Sequence, residues 1–217
     1  MRMILFDLDG TLINSVEGIA HSVNVTRNQY GFPSRPVEEI TALTGNGARD
    51  LLVRSFSDVT LPVPVEKALE SMVKNYAADP LYRTELYPGV YEGLAALHVA
   101  GYVLVVVSNK PEEVGKKILT GLNIASLLDL NIGGGRFPLK PAPDALLWAM
   151  AEFHVLPENA WMVGDNHTDL NAAHAAGIRS VFCRYGFGSR AAAPATAEID
   201  CFAELLPLVE YSEATDE

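Results

Sequence analysis

Cysteine is scarce: the 217 residues contain only Cys183 and Cys201. Two are too few for a disulfide framework or a thiolate zinc site. They read as small, partly buried thiols in a reducing compartment. Long apolar runs are also missing, and no stretch approaches the ~20 residues of a membrane span. Asp7 and Asp9 interrupt the apolar start of the chain, which excludes a secretory signal. A cytoplasmic protein with no membrane partner is the expectation. Positive charge is short, with 16 Lys and Arg against 27 Asp and Glu, for a net charge of -11. Such a surface repels polyanions, so no nucleic-acid partner is expected. Repeats and low-complexity segments are absent.

What is present is ordinary globular composition, 49% hydrophobic and 20% charged. Three short apolar runs end on polar groups. Met3 to Phe6 closes on Asp7, Val103 to Val107 on Ser108, and Trp161 to Val163 on Gly164 and Asp165. Weaker runs lie at Leu128 to Ile132 and Ser180 to Cys183. Continuous apolar runs of this length suit strands buried on both faces.

Helical periodicity separates them. Val90, Leu94 and Leu97 share a face before Gly101. Val114, Ile118 and Leu122 follow Pro111, which is placed in a first helical turn. Leu146, Leu147, Met150 and Phe153 repeat the spacing, as do Leu170 and Ala173 before Gly177. Alternating strand and helix predicts an α/β fold. It would be a Rossmann-like parallel sheet of five or more strands, with helices on both faces.

Residues 14–83 break the alternation. Four helical patterns run there, around Ile19 and Val23, Ile40, Leu51 and Leu52, and Leu69 to Tyr76. No convincing strand accompanies them. This predicts an all-helical insert at 14–83, returning between Pro80 and Pro88, with 1–13 and 84–217 forming the core domain. The acidic tail, Ser212 to Glu217, reads as frayed.

Asp7 and Asp9 lie two apart at a strand end, so alternation would aim both carboxylates at one point. Gly10 permits a tight turn and Thr11 can bond within it. Asp165 and Asp169 form a second acidic pair, which helix capping would equally explain. Ser108 and Asn109 could cap a helix, and Lys140 alone could be solvated. Together they say more, because ligands of open parallel sheets bind beyond the carboxyl ends of the strands. Convergence there would cost about 4 kcal/mol per carboxylate pair at ~4 Å and a dielectric of ~20. Lys140 cannot offset that alone, and a divalent cation can. Mg²⁺, which takes one or two carboxylates, waters and a phosphate oxygen, suits these residues better than zinc.

Four ordered motifs now resemble one family. They are Asp7-Leu8-Asp9-Gly10-Thr11, Val107-Ser108-Asn109-Lys110-Pro111, Lys140-Pro141-Ala142-Pro143-Asp144, and Gly164-Asp165-Asn166-His167-Thr168-Asp169. The chain is similar, over residues 3–188, to haloacid dehalogenase-like phosphatases of the phosphoglycolate phosphatase-like branch. The resemblance implies a Mg²⁺-dependent phosphatase acting on a small phosphorylated metabolite, as a monomer or homodimer. It makes Asp7 the nucleophile and Asp9 the acid and base. Mg²⁺ would be held by the Asp7 carboxylate, the Asp9 carbonyl and Asp165, with Asp169 orienting the metal shell or Lys140. Ser108, Asn109 and Lys140 would hold the phosphoryl oxygens, beside Gly10 and Thr11. The insert would be a cap, with Thr44 to Gly47 as its loop and Arg49 as a candidate substrate contact. Asn14 and the Gly133-Gly134-Gly135-Arg136 loop depart from the branch pattern. Competing readings are a sugar-phosphate phosphomutase or a pyrophosphatase on the same fold, and a non-catalytic phosphometabolite-binding regulator.

Overall fold

A computed structural model describes residues 1–214; within the expected frayed tail, 212–214 continue the last helix and 215–217 lie outside the described residues. The chain opens with β1 (Met3–Phe6), whose four residues are all fully buried. Ile4 and Phe6 enter one apolar cluster, Met3 and Leu5 the other. β4 (Val103–Pro111) and β6 (Ala160–Gly164) split their side chains in the same alternating way. That is why these runs read as continuously apolar: the sheet has a core on each side.

The remaining sheet strands are β5 (Leu130–Gly134), β7 (Arg179–Cys183) and β8 (Ala197–Ile199). The order is β5-β4-β1-β6-β7-β8, and every pairing is parallel. A sixth strand thus joins the expected five. The helices over it are α5 (Val90–Val99), α6 (Glu112–Gly121), α7 (Asp144–Glu152), α8 (His167–Ala176) and α9 (Leu205–Ala214). Pro111 does not start α6 from within; it ends β4 and serves as the N-cap position. Leu147, expected on the inner face of α7, is exposed, and so is Cys201.

Between β1 and α5 the chain builds α1 (Val16–Gln29), α2 (Val37–Thr41), α3 (Ala48–Ser55) and α4 (Val65–Ala78). Two strands of two residues, β2 (Ile13–Asn14) and β3 (Glu85–Leu86), pair antiparallel where the chain leaves for these helices and returns. They are too short to show any alternation in sequence. Asn14 still serves α1, its side-chain oxygen accepting from the Val16 N–H at 3.4 Å.

Arg27 ties the helices to one another. It is 1% exposed. Its guanidinium donates to the Pro33 carbonyl (2.7 Å), the Ser55 carbonyl (2.5 Å) and both oxygens of Asp58 (2.9 Å each). Hydrogen bonds from Arg27 and then Arg35 hold the Asp58 carboxyl well below its usual value. Arg27→Ala should cost about 3 kcal/mol, because the buried Ser55 carbonyl loses its donor and Asp58 its ion-pair partner. A lower urea midpoint would register it; an unchanged one would show that water replaces the guanidinium. Since the Asp58 value is depressed, this ion pair contributes above the ordinary carboxylate range and fades as acid protonates Asp58.

Candidate active site

The carboxyl ends of β1, β4 and β6 meet beneath α1, α3 and α4, enclosing one cavity. Asp7 is the first residue past β1, and its N–H donates to the Val163 carbonyl at 2.9 Å. Its Oδ1 lies 2.9 Å from Lys140 Nζ. The same ammonium reaches Asp169 Oδ1 at 2.7 Å and the Val107 carbonyl at 2.5 Å. Lys140 is therefore buried among acceptors, not solvated.

Asn109 positions that lysine. Its side-chain oxygen accepts from the Lys140 N–H (2.8 Å), and its amide donates to the carbonyls of Lys140 (2.9 Å) and Gly45 (3.0 Å). The Asn109 amide is thus committed to backbone on both sides of the cavity, and of the two donors expected of this residue only its backbone N–H remains for a substrate. Ser108 Oγ does border the cavity, and accepts from the Lys110 N–H at 3.2 Å.

Asp165 follows β6 and is 1% exposed. The Gly188 N–H donates to its Oδ2 at 2.7 Å. Gly10, at φ +89°, packs so closely that a Cβ there would stand 1.9 Å from that oxygen. Gly10 thus makes room for Asp165, and neither it nor Thr11 lines the cavity as a substrate contact. Asp169 fulfils both readings of its position. It closes a capping box on α8, accepting from the Asn166 N–H at 3.0 Å, while its other oxygen meets Lys140.

Asp9 departs from the expected geometry. β1 ends at Phe6, so strand alternation does not govern Asp9. Its Oδ1 instead meets Lys110 Nζ at 3.1 Å and accepts from Ser15 Oγ at 2.5 Å. Lys110 is buried as well and donates to the Tyr76 hydroxyl of α4 at 2.7 Å. Lys140 is accordingly not the lone ammonium of the site. Arg49 is not brought to the cavity: it is exposed and pairs with Glu66 at 3.2 Å.

Asp7, Asp165 and Asp169 each offer an oxygen within 4.8 Å of the others, and the Asp9 side chain is outside this group. Burial drives the Asp7 carboxyl up to about 7, with Lys140 opposing and Asp169 and Asp9 adding repulsion. Asp165 is raised well above the usual range by burial, then by Asp7 and Asp169. For both lysines burial works against the charge, but their carboxylate partners reverse it and hold each above its usual value. Acids that repel one another inside a cavity are what a hard divalent cation would relieve, and an all-oxygen set fits Mg²⁺.

The profile of the haloacid dehalogenase-like hydrolases matches residues 4–183. The chain belongs to that family. Its sequence is 37% identical to a phosphoglycolate phosphatase of Aquifex aeolicus (strain VF5), over 86% of each chain. It is 35% identical to phosphoglycolate phosphatase 1 of Pseudomonas aeruginosa, over 97% of this chain and 80% of that one. The crystal structure of a predicted phosphoglycolate phosphatase from Haemophilus somnus 129PT superposes with a TM-score of 0.90 at 30% identity, covering 96% of this chain and 97% of its own. This haloacid dehalogenase-like hydrolase is a phosphatase of the phosphoglycolate phosphatase-like branch. Among its described residues no helix is long and apolar enough to cross a membrane.

Proposed function

We propose that the chain hydrolyses a small phosphomonoester, with Mg²⁺, through an aspartyl-phosphate on Asp7. The observation that carries this is the Asp7 carboxylate at the cavity floor, with one oxygen on Lys140 and with Asp165 and Asp169 beside it. In this reading, residues 14–83 are the cap, and 1–13 with 84–217 are the core. The β2–β3 pair is the natural seam between them. The relatives' names bring phosphoglycolate to this chain as a candidate ester.

Lys140, itself held by Asp169, fixes Oδ1 of Asp7, so Oδ2 is the oxygen that attacks phosphorus. The P–O bond to the leaving group breaks as Asp9 gives that oxygen a proton. Water then attacks the aspartyl-phosphate, passing its proton to Asp9, and inorganic phosphate leaves with Asp7 restored. Ser15 and Lys110 both hold Asp9 Oδ1, leaving Oδ2 for proton transfer. Ser108 Oγ donates to a phosphoryl oxygen, and the Lys140 ammonium, its three hydrogens on Asp7, Asp169 and the Val107 carbonyl, faces the phosphoryl group as a positive charge. Mg²⁺ would be held by Asp7, Asp165 and the Asp9 carbonyl, with Asp169 positioning Lys140; bound there, it neutralises charge on the phosphoryl oxygens.

Release of inorganic phosphate from p-nitrophenyl phosphate and a panel of small esters tests the proposal. Turnover with Mg²⁺, its loss in EDTA, and hydroxylamine trapping of an acyl-phosphate at Asp7 are the expected results. Silence across the panel with Mg²⁺ would leave a binding protein on this fold.

A further inference from the structure

Lys110 lines the cavity and is only 8% exposed. Its ammonium lies 3.1 Å from Asp9 Oδ1 and donates to the Tyr76 hydroxyl at 2.7 Å. It also stands 4.0 Å from the centre of the Tyr76 ring. An ammonium has three hydrogens, and the third meets no acceptor among the described residues. Lys140 differs, because all three of its hydrogens are taken by Asp7, Asp169 and the Val107 carbonyl. Arg49 faces Glu66 at the surface. Among the described residues that line the cavity, Lys110 is thus the cation with a bonding position left.

Folding has already stripped water from this ammonium, so an anion that meets it does not bear that cost on binding. Ile19, Leu51, Met72 and Val114 line the same cavity, which lowers the local dielectric and strengthens the attraction. Asp9 fixes where the anion would sit. One of its oxygens faces Lys110, and the other is the one proposed to give the leaving oxygen its proton. The ammonium and the ester oxygen therefore stand one carboxyl group apart. A carboxylate on the carbon next to the ester oxygen, two bonds from that oxygen, spans this offset. While Asp9 carries its proton it is neutral, and Lys110 then faces only the neutral Tyr76 hydroxyl. A single negative charge on the leaving group balances it.

Building on the proposed phosphatase reading, we infer that Lys110, held in place by Tyr76, binds the carboxylate of a phosphorylated 2-hydroxy acid and so makes this class preferred over neutral esters. Lys110 comes from the end of β4 and Tyr76 from α4, so the subsite is built by the sheet and the inserted helices together. The lysine has two duties there: it steadies Asp9, and it discriminates between leaving groups. The second duty distinguishes it from a residue that acts through Asp9 alone.

The test compares phosphoglycolate with its neutral isostere, carbamoylmethyl phosphate, and with ethyl phosphate, all with Mg²⁺. For the wild type we expect kcat/KM about tenfold or more higher on phosphoglycolate than on either neutral ester. Lys110→Met should lower all three rates, and should also cut that ratio about tenfold or more. Tyr76→Phe, which keeps the ring and removes the hydroxyl, should cut the ratio about threefold or more, and serves if the methionine variant does not fold. An equal fall on all three esters overturns the inference, because Lys110 would then act only through Asp9. A wild type that turns over the neutral esters as well as phosphoglycolate, or better, also overturns it. Either result leaves the phosphatase reading intact. If no ester is turned over, the phosphatase reading fails, and calorimetric binding of phosphoglycolate and carbamoylmethyl phosphate decides the subsite. Tighter binding of phosphoglycolate that is lost in Lys110→Met supports it; a preference unchanged in that variant, no preference, or no binding overturns it.

Discussion

Asp7→Asn will abolish phosphate release, lowering kcat/KM by about 10⁴–10⁶-fold, as loss of a nucleophile does elsewhere. The amide cannot attack phosphorus, and no second carboxylate occupies its place: Asp9 is turned to Lys110 and Asp165 is held by Gly188. The same variant, free of metal, should be more stable than wild type at pH 8. The Asp7 carboxyl is raised from 3.8 to about 7, so the native state holds its proton more tightly than the unfolded chain does. The stability tied to that proton is full below about 3.8 and lost as pH climbs through about 7. Asparagine carries no such charge at any pH. The two proteins should therefore match near pH 4 and separate by up to about 4 kcal/mol at pH 8. Urea unfolding in EDTA across this range measures it. Retained turnover would move the nucleophile elsewhere, and a variant weaker than wild type at pH 8 would refute the repulsion.

Lys140→Met should cost both activity and stability. The ammonium joins Asp7, Asp169 and the Val107 carbonyl, at 2.9, 2.7 and 2.5 Å. Methionine fills the space but leaves two buried carboxylates facing each other. Breaking a buried pair by removing one partner costs about 3–5 kcal/mol, and losing the positive charge proposed to face the transferring phosphoryl group should cost about 10²–10³-fold in kcat. Lys140→Arg should rescue little, because the planar fork cannot reproduce three converging bonds from one atom. Because Lys140 is held above its usual 10.5, its deprotonation should add no limb to the pH–rate profile below that value. A Lys140→Met protein with native melting temperature and rate would remove the lysine from both roles.

The central strands were legible because each is apolar on both faces, and so were the acidic residues that follow them. Lys110 was not. β4 continues past Val107, where the apolar run stops, and carries Lys110 inward to Asp9 and Tyr76. A lysine beside a proline gives no local sign of burial; its partners are remote in sequence. The side-chain bonds of Asn109 were hidden for a related reason, since its amide looks free until Gly45 and the Lys140 backbone are brought to it. Arg49 shows the opposite: proximity to the Gly45 to Gly47 loop in sequence does not make it face the cavity, and it pairs with Glu66 at the surface. β8 escaped because three residues at a sheet edge carry too little pattern to be seen.

β1 leaves Asp7, the proposed nucleophile, little local freedom. Four residues, hydrogen-bonded along both edges and inserted into two separate cores, end one peptide before the Asp7 carboxylate. Deleting a single one of them would exchange the side chains of the two layers and withdraw position 7 by about 3.3 Å. The aim of the Asp7 carboxylate is thus a property of the molecule's centre and not of the loops around it.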